Sequence, residues 1–223
     1  MKRVPEPEEL MDGQEQALAY AEADFSEPNT LFIELFEKHL PAPDGLRVLD
    51  LGCGPCDIPL DMARRWPAMT IDAVDGAQAM LALAEREIGA DPTLIGRLNL
   101  ICETLPSAHL PHKRYDAVIS NSLLHHLADP KDLWLTIGHC ARNEALVLVM
   151  DLARPASALA VDALVETYAL DAPEVLREDF RNSLFAAYTP DEVRAQLSAA
   201  AWRDVSVNMV SDRHWAASGR PPA

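Results

Sequence analysis

The chain has 223 residues, of which 49% are hydrophobic, so it can bury a sizeable core as one domain or at most two small ones. Its 35 aspartates and glutamates outnumber 19 lysines and arginines, which gives a net charge of −16. This charge repels phosphate backbones and anionic lipids, so we expect no nucleic-acid partner and no broad membrane surface. A small-molecule partner is compatible with it.

The N-terminal residues and the cysteines bear on location. The first residues, MKRVPEPEELMDGQ, contain no apolar run after two basic residues, so we predict no signal peptide. No stretch approaches the roughly 20 apolar residues that a membrane span needs. Four cysteines in a chain of this length do not make a disulfide scaffold. We therefore expect free thiols in a reducing cytoplasm.

The N-terminal part of the chain has apolar residues at helical spacing. The stretches EQALAYAEADF and TLFIELFEKHL both carry it, and PAPDG at residues 41–45 is typical of a linker. From there short apolar runs alternate with longer helical stretches, IPLDMARRW, AQAMLALAEREIG and PKDLWLTIGHCA. The apolar runs are RVLDLG, TIDAVD, RLNLI, YDAVISN and ALVLVMD.

The alternation predicts an α/β fold. Runs that are apolar almost throughout indicate strands buried on both faces, and helices between them indicate a parallel, doubly wound sheet. The C-terminal part differs, because TPDEVRAQLSAAA predicts a helix with Thr189 as N-cap and Pro190 at its first position. RDVSVNMV and HWAASG then predict two strands joined as an antiparallel hairpin.

The stretch VLDLGCGPCDIPL supports two interpretations. Cys53 and Cys56 form Cys-Gly-Pro-Cys, which is typical of a thioredoxin-like dithiol. Alternatively, a strand ends in a turn where Gly52 and Gly54 let the backbone approach a ligand, and the following helix points its N-terminus at that ligand. We favour the ligand loop, because a redox dithiol leaves the series of strands and helices unexplained.

Asp75 strengthens the interpretation as a ligand loop. It ends the second strand, where a carboxylate can accept both hydroxyls of a ribose. An ordinary turn without a ligand is the remaining alternative, and Asp75 argues against it. The loop and the acid together predict a nucleoside ligand.

Residues 47–151 resemble the class I S-adenosylmethionine (SAM)-dependent methyltransferases, most closely the branch of the ubiquinone/menaquinone C-methyltransferases. The motifs that match are VLDLGCG, VDGAQAMLALA, ICETLP and YDAVISNSLLHHL. The resemblance implies a Rossmann-like seven-stranded sheet of order 3-2-1-4-5-7-6 with strand 7 antiparallel. It also implies one methyltransferase domain over residues 1–223, with a helical cap (1–44), a SAM-binding half (45–152) and a substrate-side half (153–223).

The same resemblance implies the cofactor, SAM, with S-adenosylhomocysteine (SAH) as product, and the residues that hold it. Asp50 and the glycine turn would hold the methionine part and Asp75 the ribose, while for Met80 packing in the helix core is the open alternative. Two positions depart from the family pattern, because Cys56 replaces a small residue and Ile101 stands where an acid is common. The cofactor-binding candidates are Asp50, Gly52, Cys53, Gly54, Asp75, Gly76, Met80, Cys102, Glu103 and Asn121.

Substrate-binding groups should project from the sheet edge where the cofactor lies. His125 and His126, just after the fourth strand, are the catalytic candidates, although one could be solvent-facing and the other packed. DLARP (residues 151–155) and SDRH (residues 211–214) end at the same edge. Tyr20, Asp24 and Phe25, which we place in the first helix, could close over the methyl group as a lid or could simply pack.

Two arginines stand out in this acidic chain. Arg154 and Arg213 could clamp a carboxylate or phosphate together with His214, or they could brace loops by pairing with Asp151 or Asp212. We expect no metal, because the ligand loop uses Cys53 and Cys56 and the other cysteines and histidines lack zinc spacing.

The resemblance and these residues predict a SAM-dependent methyltransferase that acts on a small metabolite. The two arginines would suit a metabolite that is an anion. One alternative is an enzyme that uses SAM otherwise, such as a carboxy-SAM synthase, to which the part from NSLFAAYTPDEV onward is loosely similar. The other alternative is a non-catalytic SAM-binding module.

Overall fold

Helices and strands alternate along most of the chain. The computed structural model describes residues 1–6 and 12–222, apart from the side chains of residues 14–16 and 22. The helices are α1 (Gln14–Glu22), α2 (Ser26–His39), α3 (Asp57–Arg65), α4 (Gln78–Ala90), α5 (Lys131–Cys140), α6 (Ala158–Tyr168), α7 (Glu174–Ala186) and α8 (Pro190–Ala199). The strands are β1 (Arg47–Leu51), β2 (Thr70–Asp75), β3 (Leu98–Cys102), β4 (Tyr115–Asn121), β5 (Ala141–Leu152), β6 (Val205–Met209) and β7 (His214–Gly219).

The described strands form one seven-stranded sheet of order β3-β2-β1-β4-β5-β7-β6. Strands β1 to β5 pair in parallel, whereas β7 runs antiparallel to both β5 and β6. The predicted fold class and strand order are confirmed. Because the chain winds outward in opposite directions from β1 and β4, a crevice opens at their carboxyl ends, where ligands bind in such sheets.

The apolar runs supply both faces of the sheet. Leu49 and Val118 pack into the cluster that contains Trp134 of α5. Their sequence neighbours Val48 and Ile119 pack into the cluster on the opposite face, with α2 and α3. Alternate residues of one strand therefore enter different cores, which explains why the central strands are apolar along most of their length.

The C-terminal half contains two helices that the sequence did not predict. Val161 and Val165 of α6, one turn apart, pack with Leu184 of α7 and Leu152 at the end of β5. Leu159 of α6 is apolar but 80% exposed. Apolar residues therefore occur on both the buried and the exposed face of this helix, and their spacing does not show the helical period. The predicted N-cap of α8 is confirmed, because Thr189 forms a capping box with Glu192 in the first turn of the helix. None of the described helices is long and apolar enough to cross a lipid bilayer.

Candidate functional site

The loop between β1 and α3 turns at residues with positive φ. Gly52 (φ +74°) admits no side chain, because a Cβ there would lie 2.8 Å from Leu123. At Gly54 (φ +54°), by contrast, no described atom would lie within 4 Å of a Cβ, so the backbone faces open space. Cys56, which replaces the expected small residue, is fully buried with φ +69°, a conformation that costs a side-chain-bearing residue about 1–2 kcal/mol. The loop therefore turns sharply, with Gly52 packed against Leu123 and Gly54 facing open space.

The electrostatics of Cys53 in this loop argue against redox chemistry. All four cysteines are free thiols. Burial, followed by the neighbouring Cys56 thiol, raises the pKa of Cys53 well above its ordinary value. A redox-active dithiol needs a lowered thiol pKa, because the thiolate is the reactive form. The geometry thus favours the ligand loop over the dithiol.

Asp75 is held at the end of β2 beside the loop. Its Oδ2 accepts a hydrogen bond from Gly54 N–H and its Oδ1 accepts one from Ala77 N–H, both at 2.8 Å. Burial raises the pKa of Asp75, and the two backbone donors oppose this rise. The carboxylate therefore links the glycine loop to the start of α4.

The predicted adenine-side residues lie next to Asp75. Glu103 donates its backbone N–H to the Asp75 carbonyl over 3.1 Å. The Glu103 carboxylate accepts from Ser107 Oγ at 3.3 Å and lies 2.9 Å from His109 Nδ1. Cys102 is exposed, with Sγ 4.0 Å from the carbonyl oxygen of Gly76. Residues from β2 and β3 thus meet at one edge of the crevice.

Two acceptor groups at the ends of β1 and β4 have no positively charged partner among the described residues. Asp50 is 4% exposed, and burial, with the charge of Asp75, raises its pKa to about 8. The Oδ1 atom of Asn121 is buried without a hydrogen-bond partner among the described residues. An ammonium group would satisfy both acceptors, because it supplies three donors and a positive charge.

Helix α1 covers this part of the crevice. Ala17 is buried in a cluster with Ala77 and Met80, against which Tyr20 packs. Tyr20 stacks on Phe25 with ring centroids 4.5 Å apart. Met80 is 3% exposed, so the structure places it in the packing between α1 and α4.

The hydroxyl of Tyr20 lies among carboxylates of the crevice. Burial raises its pKa to about 12, and the negative charges of Asp57, Asp75 and Asp151 add to the rise. Asp24, in contrast, is exposed and accepts a hydrogen bond from Ser26 N–H at 2.9 Å. The structure therefore brings Tyr20 to the predicted site and leaves Asp24 in a local turn.

The two candidate catalytic histidines differ in environment. His125 is 2% exposed, with Nδ1 2.5 Å from Asp151 Oδ1, and its backbone N–H donates to Asp151 Oδ2 at 3.1 Å. Burial, the largest single effect, lowers the pKa of His125, but the charge and hydrogen bond of Asp151 together with the charge of Glu6 outweigh it, so the net pKa is raised. The ring of His126 lies 4.1 Å from that of His125, and its Nδ1 contacts the carboxylate of Glu6.

Glu6 and Ser183 belong to this cluster, although the sequence did not predict them. Glu6 Oε1 accepts from Ser183 Oγ at 2.6 Å, across 177 residues of sequence, and lies 3.9 Å from His125 Nε2. Burial would raise the pKa of Glu6, but the contact with His126 lowers it below its ordinary value. Ligand atoms of Glu6, His125 and His126 all lie within 4.8 Å of one another, so the three could also hold a metal ion.

The two predicted substrate-binding arginines are engaged inside the protein. Arg154 donates to the carbonyls of Ala187 (2.9 Å) and Met1 (3.2 Å) and to Glu192 Oε1 (2.5 Å). Its carboxylate partner is thus Glu192, at the start of α8, and not Asp151.

Arg213 and His214 are held around the turn between β6 and β7. Arg213 donates to Glu27 Oε2 at 2.7 Å and to Asp212 Oδ1 at 3.1 Å, and its guanidinium lies 3.5 Å from the centre of the Tyr168 ring. His214 is buried beside Ser211, with Nδ1 2.9 Å from Oγ. Burial, with the charge of Arg213, lowers the pKa of His214 to about 4, so its ring is neutral near pH 7.

Comparison with known proteins bears on this geometry. Residues 48–144, which contain the glycine loop, Asp75 and the histidine pair, match the family model described as "Methyltransferase domain". The fold is that of the Rossmann-like SAM-dependent methyltransferases. Among solved structures, a SAM-dependent methyltransferase from Aquifex aeolicus superimposes with a TM-score of 0.66 at 15% identity, covering 91% of this chain and 96% of that chain. The plantazolicin methyltransferase BpumL, solved with SAH, gives a TM-score of 0.70 at 13% identity and 93% and 91% coverage.

Two sequence relatives carry methyltransferase names. Trans-aconitate 2-methyltransferase of Mycobacterium ulcerans is 39% identical over 94 residues, which are 41% of this chain and 32% of that protein. Malonyl-[acyl-carrier protein] O-methyltransferase of Halalkalibacterium halodurans is 32% identical over 102 residues, which are 44% of this chain and 36% of that protein. The chain thus spans about a third of the length of these relatives.

Proposed function

We propose that the chain is a SAM-dependent methyltransferase that acts on a small, anionic metabolite. One observation carries the proposal. Two carboxyl groups, Asp50 and Asp75, lie beside the open face of Gly54 within the segment that matches methyltransferase domains. When bound, SAM supplies an electrophilic methyl group on a sulfonium cation. The residues of this chain bind it, orient it and exclude water from it.

The residues present fit SAM. Buried Asp50 and the unpartnered Asn121 Oδ1 suit the ammonium group of its methionine part, and the open face of Gly54 leaves room for a ligand. Asp75 suits the ribose hydroxyls. Met80, which packs between α1 and α4, would contact the cofactor from that side. The cofactor would also be lined by the remaining residues of the loop and the crevice edge, Gly52, Cys53, Gly76, Cys102 and Glu103.

Electrostatics favour a cationic cofactor. Asp50, Asp57, Asp75 and Asp151 all lie close enough to the crevice for their charges to act on one another or on Tyr20. An ion pair in such a partly desolvated site is stronger than in bulk water. The crevice therefore stabilises a positive ligand, and Tyr20 with α1 would shield that ligand from solvent.

An anionic acceptor is supported by the two relatives, whose names describe methyl transfer involving trans-aconitate and malonyl-acyl carrier protein. We keep membership of the ubiquinone/menaquinone C-methyltransferase-like branch as a finer proposal that rests on the motifs alone. His125 and His126 remain the proposed residues at the reacting end. We also propose a single domain over residues 1–223 and a cytoplasmic location, the latter supported by the free thiols.

The carboxy-SAM synthase alternative is not favoured. It needs a cationic group beside the sulfonium to hold a carboxylate, and Arg154 and Arg213 are already paired with Glu192 and with Glu27 and Asp212. A non-catalytic SAM-binding module would bind the cofactor but transfer no methyl group.

Calorimetry with SAM and a methyl-label assay on a metabolite extract test the proposal. We expect micromolar binding, and Asp75→Asn should weaken it roughly 10- to 100-fold through lost charge-assisted hydrogen bonds. Glu85→Gln, an equal charge change at an exposed position of α4, is the matched control. Absence of SAM binding to the folded wild type, or binding without label transfer to any metabolite, would contradict the proposal.

A further inference from the structure

A glutamate of this chain already fills a polar pocket beside the crevice. Glu6 is half-buried, and its side chain is only 8% exposed although the chain carries a net charge of −16. Ser183 Oγ donates to one carboxylate oxygen, and His126 Nδ1 contacts the other. The pocket is therefore built to receive a carboxylate, with a hydroxyl donor and an imidazole on opposite oxygens.

The back of the pocket is rigid. His125, whose Nε2 lies 3.9 Å from Glu6 Oε1, is fixed by two contacts to Asp151 at the end of β5. A second carboxylate thus holds the ring in one orientation, with Nδ1 toward Asp151 and Nε2 toward Glu6. Asp151 therefore sets the orientation of the His125 ring independently of Glu6.

The pocket borders the candidate cofactor site. The charge of His126 acts on Asp75, whose pKa it lowers against burial. The charge of Asp151 acts on Tyr20 of α1, which packs against the cluster of Ala77 and Met80. Because His125 and His126 follow β4 and His125 binds Asp151 near the end of β5, the pocket lies at the carboxyl ends of these strands, at the edge of the sheet where an acceptor would meet the cofactor.

Glu6 is delivered by a short segment that lies on the surface of the C-terminal half. In this segment (residues 1–6), Arg3 donates to the carbonyls of Ala186 (2.5 Å) and His125 (2.9 Å) and lies over the Tyr188 ring. Val4 N–H donates to Phe185 O at 3.0 Å. The segment belongs to none of the described helices or strands, so a movement of Glu6 out of the pocket would break these contacts but no hydrogen bond within the sheet.

We propose that this pocket, formed by His125, His126 and Ser183, binds a carboxylate of the substrate, and that Glu6 occupies it intramolecularly until a substrate carboxylate displaces it. The inference rests on the proposed function and names its substrate class as carboxylic acids. It assigns anion recognition to the histidine pocket, since Arg154 and Arg213 already hold carboxylates of the chain itself.

Competition between Glu6 and a free carboxylate for the pocket should change the apparent affinity for the free carboxylate by a measurable factor. A group tethered by a short chain acts at an effective concentration in the millimolar range. A free carboxylate must exceed that concentration or bind more tightly than Glu6. Removing the charge of Glu6 should therefore raise the apparent affinity for an external carboxylate by about tenfold or more.

The test uses the full chain, saturated with SAH, and calorimetric titration with succinate. We expect Glu6→Gln to bind succinate about tenfold more tightly than the wild type, and Glu34→Gln, at an exposed position of α2, to match the wild type. His126→Gln and Ser183→Ala, each made in the Glu6→Gln background, should lose that gain. Succinamide, which has the same shape without charge, should not bind detectably, and thermal unfolding verifies that every variant is folded.

Equal succinate affinity in the wild type and folded Glu6→Gln, or equal affinity for succinamide and succinate, would overturn the inference. Binding of Zn²⁺ that Glu6→Gln abolishes and succinate does not compete with would also overturn it, and would assign the cluster to a metal. These outcomes are separate from the proposed function, because SAM binding and label transfer are measured independently. Label transfer to an acceptor without a carboxylate would refute the substrate class alone.

Discussion

Asp50 holds an unfavourable position in the protein without ligand. It is buried at the end of β1, near the charge of Asp75, and the two effects raise its pKa to about 8. Near pH 7 the carboxyl is therefore mostly protonated. Because its pKa is higher in the folded than in the unfolded chain, its contribution to stability is full at low pH and is lost as the pH rises toward 8.

A cationic ligand should reverse this titration. SAM binding favours ionised Asp50, so the protein should release a proton on binding, and the affinity should rise up to tenfold between pH 6 and pH 7. Calorimetry in two buffers of different ionisation enthalpy measures the proton release. Asp50→Asn should abolish both effects. Equal SAM affinity at the two pH values in the wild type would refute this assignment of the charge.

At the scale of elements, two glycines on either side of β1 have similar backbones but different surroundings. Gly54 and Gly45 both have positive φ, and at both positions a Cβ would meet open space. Alanine should therefore cost about the same at each, about 1–2 kcal/mol, through the left-handed conformation. Only Gly54 faces the crevice.

We expect Gly54→Ala to weaken SAM binding at least tenfold, because the added methyl group lies where the ligand approaches. Gly45→Ala is the matched control and should leave the affinity unchanged. Calorimetry measures the binding, and thermal unfolding should show similar losses of stability for the two variants. Similar SAM affinities in the two variants would show that the ligand does not approach this loop.

Arg213 connects elements that are distant in sequence. It binds Glu27 of α2 and Asp212 of the hairpin turn, and it covers Tyr168 at the end of α6. Because Glu27 and Asp212 are exposed, these ion pairs contribute less than buried ones, and we expect Arg213→Ala to lower the free energy of unfolding by about 1–2 kcal/mol.

Denaturant unfolding measures that loss, and calorimetry should show unchanged SAM affinity. Arg220→Ala, which removes a more exposed arginine at the other end of the hairpin, is the control and should cost less. Unchanged stability of Arg213→Ala with a raised substrate KM would instead support the substrate-binding role that the sequence predicts.

For the whole molecule, the central strands were predictable because they are buried on both faces, whereas the strand order followed from the resemblance to a known family. TIDAVD coincides with β2 and HWAASG with β7, because short apolar runs are a local signal for strands. The glycine loop and Asp75 were predictable because they are local in sequence. Ser183 was not, because its contact with Glu6 spans 177 residues and only the folded chain creates it. The exposed surface of α6 likewise obscured the helical period.

Ligand binding should stabilise the whole chain. At a SAM concentration 100-fold above Kd, binding adds about 2.7 kcal/mol to the free energy of unfolding, and the Tm should rise by roughly 5–10 °C. Thermal scans with and without SAM measure the shift. Asp75→Asn at the same SAM concentration should show a clearly smaller shift. A Tm that SAM leaves unchanged would contradict a cofactor site within the folded core.

The packing of α1 over the crevice has a kinetic consequence. Ala17 lies against Ala77 and Met80 beside the end of β2, and Tyr20 reaches among the carboxylates below. Under the proposed function, a nucleoside held there would leave when α1 separates from α4, so each turnover would include an opening of this helix. Opening of a packed lid is slower than side-chain motion and often limits the rate of an enzyme. Turnover should then fall as solvent viscosity rises, and loosening the contact at Ala17 should speed product release at the expense of cofactor retention.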